Sequence, residues 1–111
     1  PGAGAAAYSV SKAGITQLAR VAALELAPHK VRVNVLHPDA VFDTELWTEE
    51  ALERSAKRYG MNVAEYKTKN LLSREVKSTD VARLASTVAS NVFCATTGAQ
   101  IPIDGGSDRV I

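Results

Sequence analysis

The sequence predicts an α/β fold in which helices flank a small parallel sheet. Segments with helical periodicity alternate with two short runs rich in β-branched residues, near residues 31–36 and 100–103. Strands separated by helices are typical of parallel sheets. A two-stranded parallel sheet is a poor independent unit, because such sheets are normally larger and covered on both faces. We therefore expect residues 1–111 to be the C-terminal part of a larger α/β domain.

The composition is that of an ordinary globular domain. The 111 residues are 46% hydrophobic and 23% charged, with a formal net charge of +1. This balance gives no electrostatic reason to expect nucleic acid or membrane as a partner, and no apolar run approaches the roughly 18 residues of a membrane span. The single Cys94 excludes an intramolecular disulfide and a cysteine-based metal site, and we expect it to be a small core residue. The sequence indicates a cytoplasmic protein with no metal in this segment.

The first predicted element is a long helix over residues 6–27. Most of its residues are good helix formers, and apolar side chains recur along one side, at Val10, Leu18, Val21, Ala22 and Leu26. Its many alanines indicate close contact with a neighbouring sheet or helix. Pro28 disfavours helical geometry at the residue before it and therefore ends the helix.

The run "VRVNVL" at residues 31–36 predicts the first strand. Its three valines share one face, and Arg32, Asn34 and Leu36 share the other. The next two helices are predicted by their caps. Thr48 is suited to cap a helix over residues 49–59, and "NVAE" at residues 62–65 has the pattern of a capping box for a shorter helix towards residue 70.

The last two elements are a helix and a second strand. Ser78 or Thr79 is the predicted cap of the helix, in which Val81, Leu84, Ala85 and Val88 recur at core spacing. The strand covers residues 100–103, and Pro102 indicates a position at or near a sheet edge. The glycines at residues 1–4 and 105–106 are interpreted as turns, because no strand precedes the first pair as a phosphate-binding loop requires.

Tyr8 and Lys12 are the candidate catalytic residues. Their spacing of four places a phenol and an ammonium side by side on one face of the first helix. A neighbouring cation favours the phenolate form, which would allow proton exchange with an alcohol or a carbonyl. Taken without its context, the pair favours the simpler interpretation of a half-buried tyrosine beside a solvated lysine.

The order of motifs around this pair resembles the C-terminal half of the short-chain dehydrogenase/reductase family. The motifs are "YSVSK" before a long alanine-rich helix, then "VRVNVLHP", then "TTGAQIPIDGG". The resemblance implies a doubly wound, Rossmann-type parallel sheet, of which this chain holds the last two strands. It also implies that Tyr8 is the catalytic acid/base and that Lys12 binds the nicotinamide ribose and favours ionisation of the phenol.

The loop after the first strand is the second candidate site. Ligands of open α/β sheets bind beyond the carboxyl ends of the strands. By resemblance, Pro38, Val41 and Thr44 correspond to the family's cofactor-binding loop, in which the Val backbone meets the nicotinamide carboxamide. Two features depart from the family pattern. Asp39 replaces the usual glycine, and the spacing from Pro38 to Thr44 is one residue longer.

Three side chains near this loop are candidates for substrate contacts. His37 lies at the mouth of the strand, and Leu46 and Trp47 lie where the family has its mobile substrate lid. Packing in the core is an equally good interpretation of Trp47.

The loop sequences "HPDAVFDTELW" and "YGMNVAEYKTKNLL", together with the C-terminal run, resemble a particular group of bifunctional proteins. These proteins join a rhamnulose-phosphate aldolase domain, of rhamnose metabolism, to a dehydrogenase thought to act on lactaldehyde. The resemblance implies that an aldolase domain precedes the missing half.

The sequence therefore predicts a piece of an NAD(P)-dependent oxidoreductase that interconverts a small alcohol and an aldehyde or ketone. NAD is favoured over NADP, and a homo-oligomer is expected. Because the family's glycine-rich cofactor-binding half is absent from these residues, we expect the chain alone to be inactive and to bind cofactor poorly. The alternative is a non-catalytic module that self-associates through its alanine-rich helix and its unpaired strand edge.

Overall fold

The computed structural model describes residues 4–107, which contain four α-helices and two strands. In chain order these are α1 (Ala6–Leu26), β1 (Val35–Pro38), α2 (Glu49–Arg58), α3 (Val63–Lys67), α4 (Ser78–Ala89) and β2 (Gln100–Ile103). The two strands form one sheet. Its backbone hydrogen bonds join Val35 to Ala99 and Asp39 to Ile103, so the strands run in the same direction. The predicted α/β class is confirmed.

The chain divides into two compact units, and each strand begins in the first unit and ends in the second. The first unit comprises residues 1–36 and 88–101, and the second comprises residues 37–87 and 102–111. Of the turn predicted at residues 1–4, all but Gly4 lies outside the described residues.

The predicted long helix of the first unit is confirmed as α1. It ends at Leu26, and Pro28 lies in the short 3-10 turn that follows, Ala27–His29. Ala23 is the one buried residue of this helix. Large apolar side chains of α1 remain exposed, at Tyr8, Val10, Ile15, Leu18, Val21, Leu24 and Leu26.

The first strand is shorter than predicted and begins later, because at residues 33 and 34 side-chain hydrogen bonds interrupt the regular pairing. One backbone bond remains there, from the Gly98 amide to the Val33 carbonyl. The Val33 amide donates to Thr97 Oγ1 over 3.0 Å. Asn34 donates from Nδ2 to the Thr96 carbonyl and accepts from the Ala99 amide at Oδ1, each over 3.0 Å. The alternation of valines that predicted pairing is therefore present, but regular pairing starts only at Val35.

The second unit has its core around Phe42, Leu52, Ala56 and Tyr66. Both predicted helix starts are confirmed. Thr48 accepts a hydrogen bond from the Ala51 amide at 3.2 Å. The capping box of α3 is complete, with both reciprocal bonds between residues 62 and 65 at 2.9 Å. This helix ends at Lys67, short of residue 70.

The start of α4 differs from the prediction of a Ser78 or Thr79 cap. Ser78 is the first residue of the helix, and its amide and hydroxyl both donate to the Asp43 carboxylate, each over 2.8 Å. Within the local sequence, Asp80 accepts from the Lys77 amide at 3.1 Å. The distant carboxylate could not be found from the local pattern, because it lies 35 residues earlier in the chain.

The second strand has the predicted bounds, and Pro102 on it is exposed. The expectation that Cys94 is a core residue is wrong. Its thiol is exposed, because Cys94 ends a short 3-10 turn at the surface, Asn91–Phe93. Within the described residues, no helix is long and apolar enough to cross a membrane.

Candidate functional site

Tyr8 and Lys12 lie on one face of α1 in the first unit. Helical spacing brings Lys12 Nζ to 5.5 Å from the centroid of the Tyr8 ring. Tyr8 is 65% exposed, and Lys12 is also exposed. The Ser11 hydroxyl donates to the Tyr8 backbone carbonyl over 2.7 Å.

This arrangement can support proton transfer. A phenol can donate or accept a proton, and an ammonium supplies three donors and a positive charge beside it. The two groups are in cation–π contact and open to solvent, so a ligand could reach both. The geometry therefore gives the predicted pair the proximity that the proposed chemistry needs.

The predicted cofactor-binding loop lies in the second unit, directly after β1. His37 is half-buried and Pro38 is exposed at the end of the strand. The Thr44 hydroxyl donates to the Val41 carbonyl over 3.0 Å, and the Thr44 carbonyl accepts from the Trp47 amide at 3.0 Å. These bonds fold residues 41–47 into a turn.

The two departures from the family loop have a structural counterpart at Ala40. Ala40 has a φ of +48°, in the left-handed region that favours glycine, whereas Asp39 has no such conformation. The left-handed backbone therefore occurs at Ala40, one residue after Asp39, which stands where the family has its glycine.

Trp47 and Leu46 differ in their surroundings. The Trp47 ring lies 5.0 Å from the Phe42 ring and 6.3 Å from the Tyr66 ring, at tilted angles typical of aromatic packing. It is half-buried against the core of the second unit. Leu46 is 80% exposed. Of the two proposed lid residues, Leu46 is thus the one whose side chain is open to a ligand.

Asp43 is a residue that sequence reasoning missed. Its two carboxylate oxygens accept the Ser78 amide and hydroxyl hydrogens, and these bonds hold the pKa of Asp43 below its usual value. The sequence feature that could have pointed to Asp43 is the length of the loop from Pro38 to Thr44. With one residue added between Pro38 and Thr44, Asp43 occupies the place, counted from Pro38, at which the family has its threonine.

Cations also flank the aromatic cluster of the second unit. Lys69 Nζ lies 4.4 Å from the Tyr59 ring centroid and 4.9 Å from that of Tyr66. Burial raises the pKa of the Tyr66 phenol, although a hydrogen bond with Ser55 opposes the shift. Tyr66 is therefore a core aromatic residue, whereas Tyr8 is exposed.

An open groove of about 560 Å³ lies elsewhere in the second unit, lined by Leu71, Leu72, Arg74, Pro102 and Gly106 among others. None of the predicted site residues lines it. In the part of the chain that the structure describes, no group of three His, Cys, Asp or Glu residues could hold a metal ion.

Residues 2–108 match a protein-family model described as enoyl-(acyl carrier protein) reductase. The chain is 37% identical over 107 residues to (−)-trans-carveol dehydrogenase of Rhodococcus erythropolis, covering 90% of this chain and 38% of that protein. It is 34% identical over 110 residues to the uncharacterized oxidoreductase YuxG of Bacillus subtilis, covering 95% of this chain and 16% of that protein. The chain thus spans less than half the length of these relatives.

Among solved structures, the chain is similar to an NADPH-bound short chain oxidoreductase from Pseudomonas aeruginosa PAO1 with an atypical catalytic center. The TM-score is 0.74 at 29% identity, and the match covers 93% of this chain and 39% of that one. This likeness confirms the predicted fold class, an α/β fold with a Rossmann-type parallel sheet.

Proposed function

This chain belongs to the short-chain dehydrogenase/reductase family, and we propose that it is the C-terminal part of an NAD(P)-dependent oxidoreductase. The reaction is the interconversion of a small alcohol and the corresponding aldehyde or ketone. The relatives are more than twice as long as this chain, so we propose this activity for the full-length protein.

The contact between Lys12 and Tyr8 on α1 is the observation that carries this proposal. In the direction of oxidation, Tyr8 as the phenolate would accept the proton of the substrate hydroxyl, and in reduction Tyr8 as the neutral phenol would give that proton to the carbonyl oxygen. Lys12 places a positive charge 5.5 Å from the centroid of the same ring. A bound nicotinamide cofactor supplies or accepts the hydride. The ammonium of Lys12 would also hold the cofactor's ribose.

The loop at residues 38–44 offers groups suited to a nicotinamide. Among residues 4–107, no hydrogen bond uses the Val41 amide, which leaves this donor available to a carboxamide oxygen. The Thr44 hydroxyl already donates to the Val41 carbonyl, but its oxygen retains acceptor capacity. Pro38, Val41 and Thr44 are therefore proposed to contact the cofactor. His37 and the exposed Leu46 are proposed to contact the substrate, whereas Trp47 packs against the core.

We assign the parent protein to the group that joins a rhamnulose-phosphate aldolase to a lactaldehyde dehydrogenase. This assignment is supported by the loop sequences and by one relative. A match of 110 residues is 16% of YuxG, so that oxidoreductase has about 690 residues and is much longer than one dehydrogenase domain. The parent is proposed to be a cytoplasmic homo-oligomer that uses NAD in preference to NADP.

The experiment is an assay of the purified full-length protein. Lactaldehyde and propane-1,2-diol are offered with NADH and NAD⁺ respectively, and reduced nicotinamide is followed by its ultraviolet absorbance. We expect turnover with NAD⁺ or NADH to exceed that with the phosphorylated cofactors. Turnover of other small alcohols but not of these two would refute the substrate, whereas absence of any hydride transfer would refute the oxidoreductase.

Self-association is the second candidate function, and the exposed apolar side chains of α1 favour it. Seven large apolar residues of this helix are between 37% and 77% exposed, an apolar surface that water disfavours. A second copy could cover these side chains. Light scattering of the isolated chain tests this candidate, since a strict monomer over a wide concentration range would contradict it.

A further inference from the structure

We propose that Asp43 is a positioning residue that fixes the backbone of residues 41–44 for the nicotinamide. The inference rests on the proposed function of this loop and adds a residue to it. Asp43 does not itself need to touch the cofactor. It acts by tying the loop to the start of α4.

The tie is a two-point contact. Asp43 Oδ1 accepts from the Ser78 amide and Oδ2 accepts from the Ser78 hydroxyl, each over 2.8 Å. Using both oxygens of one carboxylate fixes its orientation as well as its position, as single hydrogen bonds do not. The contact joins residues 35 apart in sequence, so it restrains the loop against a separate element of the second unit.

The residues on both sides of Asp43 are also held. Phe42 is 6% exposed, with its ring 5.6 Å from that of Tyr66. Thr44 is bonded to Val41 and to Trp47. Asp43 lies between these contacts with its side chain on the surface, so no burial fixes it. The bonds to Ser78 are therefore the contacts that restrain the Asp43 side chain between these two residues.

Capping of α4 does not by itself account for this carboxylate. Asp80 already serves the start of the helix from within the local sequence. It accepts from the Lys77 amide at 3.1 Å and from Arg74 Nη2 at 2.7 Å. Because Asp80 already caps α4 from within the local sequence, we infer that the main effect of Asp43 is to restrain its own loop.

Loss of the tie should affect one part of the cofactor selectively. The loop is assigned to the carboxamide, so a loop free to move would first have to be ordered when nicotinamide binds, at a cost in affinity. ADP-ribose contains the rest of the dinucleotide but lacks the nicotinamide ring. Its affinity should depend little on Asp43.

The test measures binding of NADH and of ADP-ribose to the full-length protein by isothermal titration calorimetry. Asp43→Asn keeps one acceptor oxygen but loses the second bond and the charge. We expect it to raise the Kd for NADH about fivefold or more and to change the Kd for ADP-ribose less than twofold. Ser78→Ala keeps the amide bond and should show a smaller loss for NADH alone.

Asp80→Asn is the matched control, because it removes a carboxylate from the same helix start without touching the loop. We expect it to lower the melting temperature and to leave both affinities unchanged. Unchanged NADH affinity in both Asp43→Asn and Ser78→Ala would overturn the positioning role. So would equal weakening of both ligands, which would indicate general damage. Failure of the wild-type protein to bind NADH would instead refute the proposed function and this inference with it.

Discussion

At the scale of single residues, the loop after β1 has a strained backbone at Ala40 and a carboxylate, Asp43, that is hydrogen-bonded to the start of α4. Ala40 adopts a φ of +48°, which costs a residue with a Cβ atom roughly 1–2 kcal/mol. Asp43, three residues later, is held by two bonds from Ser78. A strained conformation persists where surrounding contacts over-determine it, and such positions concentrate at functional sites.

Replacing Ala40 with glycine tests this strain. Ala40→Gly relieves the left-handed conformation but increases the entropy lost on folding, so we expect the free energy of unfolding to stay level or rise by up to about 1 kcal/mol. Ala82→Gly, at an exposed position inside α4, is the control and should lose about 1 kcal/mol. Denaturant unfolding of the full-length protein measures both. A loss at residue 40 as large as that at residue 82 would contradict the account.

The pH dependence of stability provides a test of Asp43. The bonds from Ser78 lower its pKa in the folded state, so its stabilising contribution is fully present above the unfolded value of about 3.9. That contribution is lost as the pH falls through the lower, folded value. The difference in melting temperature between wild type and Asp43→Asn should therefore be constant near neutral pH and shrink only below about pH 4. A difference that disappears between pH 6 and 7 would be incompatible with this assignment.

At the scale of elements, the segment between α3 and α4 is docked on the turn that follows β2. The Leu72 amide donates to the Gly105 carbonyl over 3.0 Å. Asn70 holds the segment's shape by bonding both the amide and the carbonyl of Arg74. Gly105 has a φ of +65°, and a Cβ atom there would lie 2.5 Å from the Asn70 side chain. The turn predicted from the two glycines therefore also forms the surface against which this segment packs.

A Gly105→Ala substitution should weaken the packing of the segment between α3 and α4 against the turn after β2. The added methyl meets Asn70 and the backbone is left-handed, so we expect a loss of about 1–3 kcal/mol in the free energy of unfolding. Gly60→Ala is a matched control. Gly60 has a similar φ of +68°, but its Cβ would meet nothing within 4 Å, so only the backbone strain should appear. Equal losses for the two variants, measured by denaturant unfolding, would show that Asn70 does not resist the methyl.

Elements governed by local chemistry could be predicted from the sequence, whereas those governed by distant partners could not. The Thr48 cap and the capping box of α3 depend on neighbours within three residues, and both predictions are confirmed. The late start of β1 and the tie at the start of α4 depend on partners 35 or more residues away. Likewise, spacing alone predicts the proximity of Tyr8 and Lys12, but no local pattern indicates the role of Asp43.

At the scale of the whole molecule, the chain holds two units whose proposed roles differ. The first carries the proposed acid/base pair on α1, and the second carries the proposed cofactor-binding loop and its supporting core. The relatives are more than twice as long as this chain, which fits the proposal that the glycine-rich half of the cofactor site belongs to other residues of the full-length protein.

The isolated chain should therefore bind cofactor weakly. We propose that these 111 residues supply contacts for the nicotinamide end only, and that a glycine-rich loop and helix N-terminus elsewhere in the full-length protein hold the pyrophosphate. We expect isothermal titration of the 111-residue chain with NAD⁺ to give a Kd in the millimolar range or weaker, and no turnover. Micromolar binding would contradict this division of the site.

The most direct test of the central claim is the turnover of the full-length protein carrying Tyr8→Phe. This change removes the hydroxyl that exchanges the proton and keeps the ring beside Lys12, so we expect kcat to fall by about 10²–10⁴-fold while NADH binding and melting temperature change little. Tyr59→Phe removes the hydroxyl of another exposed tyrosine and should retain wild-type turnover. Normal turnover in Tyr8→Phe, with hydride transfer established for the wild type, would show that α1 does not carry the catalytic acid/base.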